Sequence, residues 1–133
     1  MEQRQMGELE LDGRVLDHLF EVIESRRDDS PETSHTAKLF SKGVLKIAQK
    51  VGEEATETVI EGVAGSRDKL ADESADLLYH LLVLWAARGL KPNDIWRQLE
   101  GRKGISGIAE KSARGLSGED QAGDLPVAGL PEN

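Results

Sequence analysis

Residues 73–87 read ESADLLYHLLVLWAA, and this stretch decides the fold. From Leu77 onward, apolar side chains occupy nearly every position, so a helix formed here has no continuous polar side and must be surrounded by neighbouring elements. The run from 77 to 87 is too short to cross a bilayer, which takes about 20 residues of helix. The stretch therefore predicts a helix at the centre of a folded domain.

The first turns of this helix carry charge. Glu73, Asp76 and His80 fall at positions i, i+3 and i+7, which places them within about 60° of arc on one side of the helix. An unpaired carboxylate at the edge of a buried face costs on the order of several kcal/mol, so Glu73 and Asp76 require a cation. For His80, a core position with a hydrogen bond to a neighbour is favoured over a catalytic role.

The helix before it, predicted over 44–63, is amphipathic. Its apolar side consists of Ile47, Ala48, Val51, Ala55, Val59 and Val63. Its polar side consists of Lys46, Lys50, Glu53, Glu57 and Glu61, with Glu54 at the border. Taken alone, this pattern is typical of any helix with one solvated, charged face.

The acidic residues of both helices, taken together, argue against a merely solvated face. Few basic residues are near enough in sequence to neutralise the acidic groups, because Lys46 and Lys50 already face three glutamates. A divalent cation resolves the conflict, since clustered carboxylates without cysteine or paired histidines are a ligand set for Mg²⁺, with Mn²⁺ as a substitute. The predicted metal ligands are Glu53, Glu54, Glu57, Glu73 and Asp76.

Composition limits the class of protein. The 133 residues include no cysteine, so disulfides and thiolate metal sites are excluded and a reducing, cytoplasmic location is expected. The net charge of -8 argues against a general nucleic-acid binder, which needs clustered Lys and Arg to neutralise phosphates. The N-terminus lacks the apolar run of a signal peptide, and no segment predicts a membrane span.

Helical periodicity predicts an all-α domain of four or five helices. Helices are expected over 15–27, 44–63, 68–88 and 93–103, with a short one that Ser34 or Thr33 caps and Gly43 ends. No alternating strand pattern occurs. An N-terminal extension over 1–14 precedes the domain at 15–103, and the Gly- and Ser-rich residues 104–133 are predicted to form a flexible tail.

Several sequence motifs resemble a known family. Glu53, Glu54 and Glu57 form EExxE, and Glu73 and Asp76 form ExxD, as in the all-α MazG-like nucleoside-triphosphate pyrophosphohydrolases. The longer segments SHTAKLF (34–40), KIAQKVGEEATE (46–57) and ESADLLYHLLVL (73–84) are similar to phosphoribosyl-ATP pyrophosphohydrolase, the histidine-biosynthesis branch of that superfamily. The resemblance covers roughly 15–114, and one departure is His35, where many relatives have an aromatic residue.

The resemblance implies a fold and an activity. A MazG-like bundle completed by dimerisation would hydrolyse phosphoribosyl-ATP to phosphoribosyl-AMP and pyrophosphate with Mg²⁺. The carboxylates fit such a reaction, because their metal would bind triphosphate oxygens and activate a water. Glu54 or Glu57 is the candidate general base for that water.

Other residues are candidates for binding the substrate. Lys46 and Lys50 either pair with the glutamates or hold a phosphate, and both roles stay open. Ser34, Thr36 and Lys38 could donate to the ribose phosphate. The substrate could also be covered by the basic residues Arg102, Lys103, Lys111 and Arg114, although a disordered segment is the simpler expectation.

Two further functions remain to be weighed. A house-cleaning pyrophosphatase would use the same fold and metal on ordinary or modified nucleotides. A non-catalytic helical dimerisation module would use the carboxylates only for a structural cation or for solvation. A homodimer is expected, because four modest helices cannot cover the apolar segment LLYHLLVLWAA (77–87) within one subunit.

Overall fold

The computed structural model describes residues 11–104 of the chain. This part contains five α-helices and no strand, which confirms the all-α prediction. The helices are α1 (Arg14–Ser25), α2 (His35–Lys42), α3 (Val44–Ala64), α4 (Arg67–Ala87) and α5 (Pro92–Glu100). The predicted extension up to residue 10 and the predicted tail from residue 105 lie outside the described residues.

The chain divides into two compact units, Met1–Asp94 and Ile95–Asn133. The first unit contains α1 to α4 and the start of α5, and the described part of the second contains the remainder of α5. No helix within 11–104 is both long and apolar enough to cross a membrane.

Helix α4 is the central element of the first unit, because it contacts α1, α2 and α3. The core lies against its C-terminal half, as the apolar run predicted. Its buried members are Phe20, Ile23, Leu39, Ile47, Leu82, Val83 and Ala86. His80 is buried beside them and its Nδ1 lies 2.8 Å from the carbonyl oxygen of Asp76, which confirms its predicted core position.

The helix boundaries follow from local chemistry. Ser34 caps α2, since its Oγ accepts the backbone N–H of Ala37 at 3.1 Å. Gly43 separates α2 from α3 with a φ of +88°, a conformation that other residues rarely adopt. Ser66 caps α4 by accepting the N–H of Lys69 at 3.2 Å.

Arg27 ties three helices together. One guanidinium nitrogen donates to the carbonyl oxygen of Ala86 at the end of α4, at 2.7 Å. The same nitrogen pairs with Glu24 at 2.8 Å, and the guanidinium carbon lies 4.6 Å from the ring centroid of Phe40 in α2. A cation at the C-terminus of a helix is favourable, so this contact holds α1 and α2 against the end of the central helix.

The apolar surface that a dimer would cover does not lie on residues 77–87, where the sequence placed it. The side chains of 77–87 are buried or half-buried within one subunit, apart from Leu78, because α1, α2 and α3 already cover them. Several strongly exposed apolar side chains lie on α3, where Leu45, Val59 and Val63 are 87%, 64% and 85% exposed. The predicted apolar side of α3 is therefore buried at Ile47 but exposed toward its C-terminal end, at Val59 and Val63.

Candidate metal centre

Helices α3 and α4 form a hairpin, joined by Gly65 and Ser66, that brings three glutamates together. Glu54 and Glu57 are three residues apart on α3 and share one side of it. Glu73 lies in the second turn of α4. One carboxylate oxygen of each of the three lies within 4.8 Å of the other two.

The three carboxylates repel one another. Glu57 is exposed, but the Oε2 atoms of Glu54 and Glu73 are buried and have no hydrogen-bond partner. A hydrogen bond with Glu57, then burial and the negative charges of Glu57 and Glu54, raise the pKa of Glu73 to about 7. The cluster is therefore unfavourable when all three groups are ionised and nothing neutralises them.

A hard divalent cation fits this group of residues. The ligands are all carboxylate oxygens, two of which are buried without a donor, and Mg²⁺ or Mn²⁺ accepts such oxygens while keeping several waters. Glu57 leaves one side of the cluster open to solvent and to a substrate. The three glutamates can thus hold a metal and still present it to a phosphate.

Two predicted ligands lie outside this three-residue group. Glu53 is exposed, and it accepts a hydrogen bond from the side chain of Gln49 at 2.9 Å and pairs with Lys50 at 3.6 Å. These contacts lower its pKa, the hydrogen bond from Gln49 contributing most. Asp76 is exposed on α4, one turn after Glu73. Their roles as ligands stay predictions.

Lys46 and Lys50 are half-buried on α3, ahead of the glutamates. Lys46 donates to the side-chain oxygen of Gln49 at 3.4 Å, and Gln49 in turn donates to Glu53. Both lysines thus belong to one polar chain that leads along α3 toward the cluster. The pairing of Lys50 with Glu53 at 3.6 Å is long for a salt bridge, which leaves its ammonium able to bind a phosphate as well.

Other predicted substrate residues lie on α2. The hydroxyl of Ser34 accepts the capping hydrogen bond, and Lys38 is exposed. Thr36 is buried, and its hydroxyl is hydrogen-bonded to the hydroxyl of Tyr79 on α4. Sequence reasoning left Tyr79 without a role, because the pattern of α4 does not show which helix lies opposite it.

The raised pKa of Glu73 predicts how the stability of the metal-free protein depends on pH. The folded state holds the proton more tightly than the unfolded chain does, whose Glu73 has the ordinary value of 4.5. This group's stabilising contribution is complete below pH 4.5 and is lost as pH rises toward 7. In EDTA, wild type is expected to lose more stability between pH 5 and pH 8 than Glu73→Gln loses, by thermal melts.

Glu21→Gln, at an exposed position of α1, is the matched control and should keep the wild-type dependence of stability on pH. Identical pH profiles for wild type and Glu73→Gln would contradict the repulsion among the three carboxylates.

The chain is similar to a family of known proteins over most of its length. The family model described as phosphoribosyl-ATP pyrophosphohydrolase matches residues 16–103. A phosphoribosyl-ATP pyrophosphatase of Azospirillum brasilense is 58% identical over 109 residues, which cover 82% of this chain and 98% of that protein.

Two other relatives carry the same name. That of Granulibacter bethesdensis is 56% identical over 76% of this chain and 63% of its own length. That of Paramagnetospirillum magneticum is 52% identical over 77% of this chain and 94% of its own length. The region that the family model matches includes α2 to α5, all but the first two residues of α1, and all three clustered glutamates. The chain belongs to the phosphoribosyl-ATP pyrophosphohydrolase family.

Proposed function

We propose that this protein is a Mg²⁺-dependent hydrolase that converts phosphoribosyl-ATP to phosphoribosyl-AMP and pyrophosphate in the cytoplasm, a step of histidine biosynthesis. Family membership supports the reaction and the substrate. The observation that carries the mechanism is the cluster of Glu54, Glu57 and Glu73, in which two buried carboxylate oxygens have no partner. Mn²⁺ is the expected substitute for Mg²⁺.

In this proposal Glu54, Glu57 and Glu73 are the principal ligands. Asp76 extends the ligand set from the next turn of α4, and Glu53 joins it only by giving up its contacts with Gln49 and Lys50. A metal bound to these residues would neutralise triphosphate oxygens and lower the pKa of an attacking water. The carboxylates supply the geometry that such a site requires.

The general base is Glu54 or Glu57. A base must be ionised and within reach of the water. Glu57 is exposed, whereas one oxygen of Glu54 is buried, so Glu57 is better placed to receive a proton from a water on the open side.

The substrate is tested by assaying purified protein with phosphoribosyl-ATP beside a panel of ordinary and modified nucleoside triphosphates. Pyrophosphate release that requires Mg²⁺, stops in EDTA and is fastest with phosphoribosyl-ATP is expected. A preference for other triphosphates would identify a house-cleaning pyrophosphatase instead. Absence of pyrophosphate release from every nucleotide would refute the enzymatic function and favour the dimerisation module.

We also propose that the active form is a homodimer formed through the α3–α4 hairpin. No residue between Ile47 and His80 is buried, although this segment holds most of the two longest helices. Val59, Ile60 and Val63 are exposed there. A second copy of the same surface would bury these side chains, which is the usual way to cover an apolar helix face of this extent.

The dimer predicts that charge on this surface separates the subunits. Val59→Lys with Val63→Lys places two ammonium groups where apolar side chains are expected to meet, so sedimentation at micromolar concentration should show a monomer. Val15→Lys with Val22→Lys, on exposed positions of α1, is the matched control and should stay dimeric. A monomeric wild type at the same concentration would rule out this interface.

A further inference from the structure

A basic segment of this acidic protein precedes the glutamate cluster in the sequence. Between Glu32 and Glu53 the sequence has no acidic residue but has four lysines and a histidine, in a chain whose net charge is -8. These residues are His35, Lys38, Lys42, Lys46 and Lys50. Helices α2 and α3 carry them, immediately ahead of the glutamate cluster.

Several of these basic groups lie close enough to His35 to act on its charge. Burial lowers the pKa of His35, and the charges that lower it further are those of His80, Lys38, Lys42 and Lys50, all of them basic groups. Within residues 11–104, neither Lys38 nor Lys42 forms an ion pair. Because Lys38 and Lys42 have no ion-pair partner among the described residues, their charges are available to an external anion.

A cavity adjoins these groups. It has a volume of about 510 Å³ and is lined by α2 and the turn before it, including His35, Lys38, Ser41 and Lys42, with Glu32 as its acidic residue. Hydroxyl, imidazole and ammonium groups that converge on such a space can bind a small anion. The volume is enough for a phosphate together with the sugar that bears it.

The packing of α2 on α4 fixes this cavity relative to the metal centre. The rings of His35 and Tyr79 are nearly parallel, with centroids 6.3 Å apart, and the edge of His80 faces both. The hydrogen bond between Thr36 and Tyr79 holds α2 in this position. Tyr79 follows Glu73 by six residues of α4, about 9 Å along the helix at 1.5 Å per residue.

We propose that His35, Lys38 and Lys42 bind a phosphate monoester and so select a substrate that carries a second phosphate away from its triphosphate. This inference rests on the proposed function, in which the phosphoribosyl group supplies that phosphate. The glutamate cluster and its metal bind the triphosphate of any nucleotide, whereas the basic cavity recognises what distinguishes phosphoribosyl-ATP from ATP. Lys38 and Lys42 thereby become specificity residues, while Ser34 and Thr36 position α2.

The test compares phosphoribosyl-ATP with ATP, which has the triphosphate but lacks the second phosphate. Lys42→Gln and Lys38→Gln are each expected to raise KM for phosphoribosyl-ATP about tenfold with kcat changed less than about twofold, since the lost contact is remote from the reacting bond. The inhibition constant of ATP should stay at the wild-type value. Lys91→Gln, which removes the same charge beside a different cavity, should change neither constant.

A binding measurement separates this inference from the proposed function. Ribose 5-phosphate added to the metal-free protein is expected to shift the NMR signals of the His35 ring and to raise its pKa, and Lys38→Gln/Lys42→Gln should abolish the shift. If wild type fails to hydrolyse phosphoribosyl-ATP, the proposed function is refuted, and this binding experiment still decides the phosphate site. An unchanged KM in both variants, or an equal loss of affinity for ATP, overturns the specificity role.

Discussion

Glu57→Gln is expected to lower kcat/KM for phosphoribosyl-ATP by at least about 100-fold while the protein stays folded. The substitution keeps the size of the side chain but removes the charge of the exposed member of the three clustered glutamates, which is also the better placed general base. Glu73→Gln should lose a similar factor, because it removes the ligand that α4 contributes. Pyrophosphate release measured over a range of Mg²⁺ concentrations gives both values.

Thermal melts distinguish loss of the site from loss of the fold. Without metal at pH 8, Glu73→Gln should melt higher than wild type, since it relieves repulsion from Glu54 and Glu57. Mg²⁺ should then stabilise wild type more than either variant, as binding to the folded state alone requires. Asp76→Asn in the same series shows whether the ligand set extends along α4.

Glu21→Gln is the control, because it removes a carboxylate from an exposed position of α1. It should leave both activity and the response to Mg²⁺ unchanged. Wild-type activity together with a wild-type Mg²⁺ response in Glu57→Gln and Glu73→Gln would falsify the metal centre. The carboxylates would then form only a solvated face.

Ile47→Ala is expected to lower the free energy of unfolding by about 2–5 kcal/mol, the range for truncating a buried isoleucine. Ile47 is fully buried and is the one residue of α3 in the core cluster, where it lies with Phe20, Leu39 and Leu82. Ile47 is the one buried side chain of α3, so truncating it to Ala leaves a cavity in the core and removes the helix's buried contact with that core. The melting temperature should fall by about 10 °C or more for a domain of this size.

A graded series checks the cause. Ile47→Val removes one methylene and should cost about 0.5–1.5 kcal/mol. Val15→Ala removes methyl groups from a side chain that is 52% exposed and should change stability by less than about 0.5 kcal/mol. Equal losses for Ile47→Ala and Val15→Ala, by urea or thermal unfolding, would show that α3 is not anchored through Ile47.

The sequence predicted the elements of this fold well. Local signals set the helix ends, since Ser34 and Ser66 can cap and Gly43 can adopt positive φ whatever lies around them. The uniform apolar character of 77–87 was enough to identify α4 as the central helix. A nearly continuous apolar surface requires neighbours on several sides, and that requirement is independent of which neighbours they are.

The orientation of α3 was harder to infer. Its apolar side is buried at Ile47, but Val59 and Val63 on the same side are exposed, while Glu54 lies close to Glu73 of α4. Sequence periodicity gives the two sides of a helix but not which of them its own subunit covers. Here the choice follows from the close pairing of α3 with α4 through the hairpin turn at Gly65 and Ser66.

The sequence by itself determined that the domain is all-helical over the described residues, that α4 is central and that two successive helices carry carboxylates suited to a cation site. Each of these follows from composition or from spacing within one helix. Only the tertiary structure decided that Glu54, Glu57 and Glu73 meet, that Glu53 turns to Gln49 and Lys50, and that His35 lies beside Tyr79. Such contacts depend on the rotation and register of one helix against another, which the packing of side chains from both helices sets together.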